Sequence, residues 1–511
     1  MAGYQHEVYN YKSISGEAFY LLSNAIPSLS TSVGEKTVDD WIGHWATQSV
    51  FGRLNYIFSE KYLLEVNVRA DGSSRFEKDE RWGVFPSVSA GWVISKENFF
   101  PLQQIDLLKF RASYGTLGNQ NVANYLYVPT LPIRQTNYWL FAGERGWTVG
   151  TPNLTSINLT WEQVATFDLG LDAMLLDNRL GFTFGVYESH TTNLVGPGEP
   201  LPAVLGTVVP KKNEGEIRTR GWELELSWKN RVNDFSYELR VVVSDYKNVV
   251  VSYNNPTKLL SSYYDGQVLG EIWGLETPGY YKSPSDIEAW GIDQSYIYSG
   301  DWFPGDTKYI DQNDDDKIDI GENTLDSHGD LVVLGNDSPR YVYGLNASLK
   351  WKGIDVFIIL QGIGKKDLYF TDGSFRGPAA GPMHNNVLKG HLDYWRDASS
   401  PLGANPDAYF PRPYAQYWGQ NAKNFAYPTD HLLQSGAFLR LKNLQIGYNL
   451  PSNIVQKIFM KSARIYVSGE NLLTFTKLMF FDPEAFGGRW YGAGDAYPLS
   501  KTISVGLSVN F

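Results

Sequence analysis

Hydrophobic and polar residues alternate one for one along much of this chain. In the last ten residues, Ile503, Val505, Leu507, Val509 and Phe511 share one face, and Thr502, Ser504, Gly506, Ser508 and Asn510 share the other. A period of two predicts a β-strand with one apolar side. The pattern recurs. Leu64, Val66 and Val68 alternate with Glu65, Asn67 and Arg69, and Leu108, Phe110, Ala112 and Tyr114 with Lys109, Arg111 and Ser113. Phe167, Leu169, Leu171 and Ala173 alternate with Asp168, Gly170 and Asp172, and Trp222, Leu224, Leu226 and Trp228 with Glu223, Glu225 and Ser227. Phe235 to Val243 and Tyr341 to Trp351 follow the same rule. A single such segment also fits a soluble sandwich strand, and repetition separates the two cases. Here the polar face carries charges of both signs and the apolar face often ends in Trp or Tyr, as in the aromatic girdles of membrane-spanning β-barrels.

About fourteen strands are expected by this criterion, in a meander. Short turns are predicted at Ser59-Glu60, Asp177-Asn178, Lys229 to Asp234 and Lys352-Gly353. Long loops are predicted over roughly Gln120 to Gly150, Val249 to Asp337 and Lys365 to Thr429. Loops of this length are uncommon in compact domains and usually carry function. Their restriction to alternate connections fits short turns on one side of a membrane and long loops on the other.

Composition narrows the class. The chain has 511 residues, too many for one ordinary soluble core, so several domains or one large barrel are expected. Mean hydropathy is −0.30, and no run of about 18 apolar residues could span a bilayer as a helix. There are no cysteines, which excludes disulfides and thiolate metal sites. A net charge of −11 argues against nucleic acid as a partner. No basic and apolar leader precedes Tyr4, so an exported barrel would have to be a mature chain or a C-terminal piece of a longer one.

An ordered set of segments resembles the C-terminal barrel portion of SusC/RagA-type TonB-linked outer-membrane transporters. The set comprises Phe51-Gly-Arg-Leu-Asn-Tyr56, Lys61-Tyr-Leu-Leu64, Arg69-Ala-Asp-Gly-Ser-Ser-Arg-Phe76, Gly83 to Trp92, Arg111 to Gln120 and Trp161 to Asp172. Further along come Asn405-Pro-Asp-Ala408, Pro411-Arg412, Phe438 to Leu444, Tyr466 to Thr476, Asp482-Pro-Glu484 and Tyr497-Pro498. The resemblance implies an all-β, antiparallel transmembrane barrel domain over residues 1–511, in the outer membrane of a Gram-negative cell. Transporter barrels of this kind have 22 strands, so the N-terminal plug and roughly eight strands would lie outside this sequence. The implied function is nutrient uptake of oligosaccharides or peptides, with a SusD-like surface lipoprotein as lid and TonB acting through the plug. Two other readings remain at this point: a pore or adhesin barrel without energy coupling, and a soluble all-β glycan-binding protein.

No enzyme is expected. The chain has no nucleophile elbow, zincin helix, Walker loop or dinucleotide fingerprint. Its seven histidines, scattered from His6 to His431, do not pair at ligand spacing. No cofactor is required, and the one candidate ion is Ca2+. Asp311, Asn313, Asp315, Lys317 (by its carbonyl), Asp319 and Glu322 fall at the oxygen-ligand positions of an EF-hand loop. Asp316 stands where that motif wants Gly, and a solvated acidic turn fits the same residues. Loop rings are expected to meet substrate or lipoprotein, since a ring covers an apolar face while polar neighbours fix orientation. The candidates are Trp139, Trp147, Tyr264, Trp273, Tyr281, Trp302, Trp395 and Trp418.

Overall fold

The computed structural model describes the chain except residues 24, 101, 103, 142, 157, 199–201, 203, 205, 208, 372, 378–386, 415–421 and 486–496, and the side chains of 136–139, 141 and 458. Its strands are β1 (Ala2–Ala18), β2 (Lys36–Phe58), β3 (Tyr62–Ser73), β4 (Trp82–Val93), β5 (Ile105–Asn119), β6 (Ile133–Phe141) and β7 (Glu144–Val149). Then follow β8 (Glu162–Leu175), β9 (Leu180–Pro197), β10 (Lys211–Val232), β11 (Phe235–Ser252), β12 (Glu271–Gly274), β13 (Val332–Asn336) and β14 (Arg340–Trp351). The last are β15 (Ile354–Lys365), β16 (Asp367–Leu368), β17 (Gln434–Ser435), β18 (Phe438–Asn449), β19 (Ser462–Thr476) and β20 (Thr502–Asn510).

Fourteen strands form one antiparallel meander in the order β1-β2-β3-β4-β5-β8-β9-β10-β11-β14-β15-β18-β19-β20. This is the strand number expected from the alternation. The sheet is open: β1 pairs only with β2 and β20 only with β19 among the described residues. No described helix is long and apolar enough to cross a membrane.

The sheet turns its apolar face outward. Ile503, Val505 and Leu507 on β20, Leu54 and Tyr56 on β2, and Val84 and Val88 on β4 are all exposed. In a soluble sandwich these rows would be covered by a second layer. Aromatic residues gather where strands meet the short turns. Tyr56 stacks on Phe58 and Phe58 on Tyr62, while Trp92, Phe235 and Trp351 sit at the same level of their strands. The Trp92 indole and the Tyr62 hydroxyl both donate to Glu97 in the adjoining turn, as does Lys61.

Register is held by large residues lying across glycines. A Cβ on Gly221 would fall 2.4 Å from the Tyr187 ring, and Gly221 pairs with Tyr187. Gly506 sits under Tyr466 in the same way. Both pairs lie on the inner face, where only glycine leaves room for the ring.

Turn chemistry accounts for the tight ends. Ser59 and Glu60, Asp177 and Asn178, and Lys352 and Gly353 all have positive φ, as the hairpin turns compatible with strand twist require. The turn expected over Lys229 to Asp234 contracts to Asn233-Asp234, because β10 stays paired with β11 through Val232. The long loops carry structure of their own. The first holds the β6–β7 hairpin. The second, beginning after Ser252, holds β12, β13 and a short helix, Pro284–Trp290. That helix is capped by Ser283 and closed at Gly291, whose φ is +68°. The third holds β16, which pairs with β17.

Candidate functional site: the inner wall and the long-loop assembly

The inner face of the sheet is a wall of paired charges. Alternation brings Lys109 and Arg111 on β5 beside Asp168 and Asp172 on β8. Arg111 lies 2.8 Å from Asp168 and 3.5 Å from Asp172, and Lys109 lies 3.5 Å from Asp172. Arg240 grips Glu225 through Nε and Nη2 at 2.7 and 2.6 Å. Arg464 is bonded twice to Asp355, and Arg53 to Glu65. These side chains are partly exposed, so each pair contributes little stability, about 0–1 kcal/mol. Their effect is to keep the wall polar and wettable.

Two sequence segments with no evident connection meet on that wall. Arg440 on β18, only 1% exposed, reaches Asp482 and Glu484 at 2.6 Å each. Its Nε donates to Thr474, and Lys442 binds Glu484 at 2.8 Å. The network folds the segment after β19 inward. There Leu478 packs with Leu368, Phe370, Phe375 and Phe410. Sequence reading singled out both segments but could not join them, because they lie 42 residues apart with the β18–β19 hairpin between them.

The second and third long loops are locked together at Asp306 and Lys423, both fully buried and 2.6 Å apart. The Lys423 ammonium also lies 5.0–5.4 Å from the ring centres of Tyr298, Trp302, Phe303 and Tyr414, and donates to the Asp301 carbonyl. Asp306 further accepts from the Asn424 amide, the Tyr414 hydroxyl and the Phe303 backbone. Burial draws the Lys423 ammonium below the usual lysine value, against the opposing pull of Asp306. The Tyr414 hydroxyl is pushed well up, by burial first and then by Asp306.

Most of the expected ligand rings serve this assembly. Trp302 faces Lys423. Trp273 packs on the Leu275, Tyr309, Ile318 and Leu331 cluster and donates to the Tyr264 hydroxyl. Tyr264 in turn donates to Glu271. Tyr281 is buried against Trp302, and Trp395 is buried with Tyr280 and Ala408. Trp147, on β7, is exposed. The Trp139 side chain and Trp418 lie outside the described residues. Sequence reading missed a set of rings on β1 and β2, namely Tyr9, Tyr11, Trp41 and Trp45, although their odd-numbered spacing was there to be read.

The acidic loop is wound around Asp311. One Asp311 oxygen accepts from the backbone of Asn313 and Asp314, and the other from Asp316. Asp316 has φ +64°, so it makes the sharp turn expected of glycine, a conformation that Asp tolerates better than most residues. Asp315 accepts from Lys317 N, and Asp319 from Gly321 N. Glu322 is tied by its backbone to Ser327. The buried Asp330 braces the loop by accepting from Gln312 N and Asp319 N, and burial raises its carboxyl. Among the described residues, no three His, Asp or Glu side chains gather into a metal-holding group.

Comparison with known proteins places this architecture. Residues 2–472 match the family model for the TonB dependent receptor-like β-barrel. TonB-dependent receptor P3 of Formosa agariphila is 29% identical over 98% of this chain and 50% of its own length. TonB-dependent receptor SusC of Bacteroides thetaiotaomicron is 26% identical over 91% of this chain and 43% of its own length. The chain thus spans about half the length of the curated relatives it matches. The RagAB peptide importer in its open-open state superposes with a TM-score of 0.75 at 23% identity, covering 100% of this chain and 52% of that one. The soluble glycan-binding reading falls with these matches and with the outward apolar face. This chain belongs to the TonB-dependent receptor-like β-barrel family, is similar to SusC within it, and is an outer-membrane protein.

Proposed function

We propose that this chain is the C-terminal part of the wall of a TonB-dependent transporter that takes up oligosaccharides or peptides together with a SusD-like lipoprotein. The observation that carries the reading is the sheet itself: apolar outside, lined inside with paired charges, and unpaired at β1 and β20. Unpaired edges do not persist in lipid, where every backbone N–H and C=O needs a partner. Further strands therefore complete the barrel, and the family likeness adds a plug within it. The wall supplies the polar lumen and the docking loops, while TonB acts through the plug. The likeness to the TonB-dependent receptor SusC and to the RagAB peptide importer supports this assignment over a pore or adhesin without energy coupling. The test is affinity purification of the native outer-membrane complex through a tag on a long loop. Co-purification of a surface lipoprotein, and loss of uptake in a TonB-deficient strain, are the expected results. A tagged barrel that conducts oligosaccharides equally well without TonB would replace this reading with the pore.

We also propose the Asp311 to Glu322 loop as a Ca2+ site. Its hard-oxygen donors and the left-handed Asp316 support this, while the side chains would have to turn inward to converge. Calorimetric titration of the folded protein decides it. No heat at millimolar Ca2+ leaves the loop as a hydrogen-bonded turn.

A further inference from the structure

The β1–β2 hairpin rises far beyond the end of β3, and its upper half carries a continuous strip of four rings on the inner face. Trp45 stacks on Tyr9 at 5.6 Å, Tyr9 meets Tyr11 at 5.7 Å, and Tyr11 meets Trp41 at 4.5 Å. Pairing explains the order: Tyr9 faces Trp45, Tyr11 faces Gly43, and Ser13 faces Trp41. Tyr11 can lie flat across Gly43 because a Cβ there would strike its ring at 2.3 Å. Trp41 remains 63% exposed and Tyr9 49%.

The two faces of this hairpin differ in where their aliphatic residues lie. The outer face bears Val8, Ile14, Val38 and Ile42, beside polar residues such as the Lys12–Asp40 ion pair. The inner face bears rings, glycine and hydrogen-bonding residues, among them Gln5, Glu7, Ser13, Asp39 and Thr47, and no aliphatic side chain from Gly3 to Glu17 or from Thr37 to Phe51. A face destined to bury another protein segment would be expected to contain aliphatic packing residues. Rings interleaved with hydroxyls, amides and carboxylates suit a sugar. The apolar C–H face of a pyranose lies on an aromatic ring while its hydroxyls take hydrogen bonds at the ring's margin.

The strip also continues into the polar wall. Below Trp45 the same face carries Ser49 and Phe51. Arg69 donates to Ser49 and Gln5 and lies over Phe51, while Arg75 lies over Trp45. A chain molecule moving along the rings is therefore handed directly to the charged inner wall.

We propose that Tyr9, Tyr11, Trp41 and Trp45 form a binding strip for a neutral oligosaccharide on its way into the lumen. This rests on the uptake reading above and assigns the substrate class and its first contact. The test uses the native outer-membrane complex in detergent, titrated calorimetrically with the hexaoses of glucose, xylose and mannose and with a neutral octapeptide. At least one hexaose is expected to bind. Trp41→Ser and Tyr9→Ser are each expected to weaken it about tenfold, the loss of one stacked ring. Trp41→Phe, which keeps a ring, should restore most of the affinity, and Ile42→Ser on the opposite face should change nothing. Binding unaffected by the ring variants, binding of the octapeptide alone, or no binding of any hexaose would each overturn the strip. None of these results touches the uptake reading, which stands or falls on lipoprotein co-purification and TonB dependence.

Discussion

Removing the charge on Asp306 should open the long-loop assembly locally while leaving the barrel wall intact. Asp306→Asn leaves the Lys423 ammonium buried with no counter-ion, and stranding one member of a buried pair costs about 3–5 kcal/mol. Four surrounding rings at 5.0–5.4 Å retain part of the attraction, each worth about 0.5–2 kcal/mol where desolvated, which points to the lower end of that range. Lys423→Met is milder, about 1–3 kcal/mol, because Asp306 keeps its three other donors: the Asn424 amide, the Tyr414 hydroxyl and Phe303 N. The double variant should lie well below the sum of the singles, since an apolar replacement of a buried pair is often neutral. Hydrogen exchange reads this directly. The Thr307 amide donates to Asn424 and the Tyr309 amide to Gln294, so both report opening of the joint. A loss of 3 kcal/mol speeds their exchange roughly a hundredfold, while amides of β10 and β11 should be unchanged. If Asp306→Asn shifts Thr307 and Tyr309 by less than about fivefold, or if the effects of the two variants simply add, the pair does not hold the loops together and the reasoning fails.

Three further outcomes follow from the wall. Val505→Arg puts a charge on the exposed apolar face of β20 and should destabilise the inserted barrel by about 2–4 kcal/mol, seen as a lower temperature for the folded-to-unfolded gel shift, whereas Ser504→Arg on the inner face should be tolerated. Gly221→Ala forces the Tyr187 ring off its seat and should cost about 1–3 kcal/mol as overpacking, with Tyr187→Ala in the same chain relieving most of it. At the short-turn end, Glu97 is held down to about 2, by the Tyr62 hydroxyl first and then by Lys61 and Trp92. Its contribution is present above the ordinary carboxyl value of 4.5 and is lost as pH falls toward about 2. The difference in thermal midpoint between native protein and Glu97→Gln should therefore be constant from pH 8 to pH 5 and close below that. A difference that instead grows on acidification would contradict the assignment.

Alternation alone determined the strands, their number, the faces of Leu64, Phe110 or Val505, and the long-and-short rhythm of the connections. A period-two pattern is local, and a one-residue slip would reverse every side chain, so the sequence must specify it strongly. The ordered motifs likewise placed the family. What the rings of the long loops do was decided only by the tertiary structure. Tyr264, Trp273, Tyr281, Trp302 and Trp395 look like ligand-binding residues in sequence, yet in the fold Tyr264, Tyr281 and Trp395 are buried and Trp273 and Trp302 are partly buried in loop packing. Their partners lie on other segments: Lys423 is more than a hundred residues from Asp306 and Trp302, and Asp482 is 42 residues from Arg440. Tyr9, Tyr11, Trp41 and Trp45 show the converse, since they become one surface only when β1 pairs with β2. A sequence records which residues can pack or pair. Which of them meet is settled by loop closure and strand register across the whole sheet.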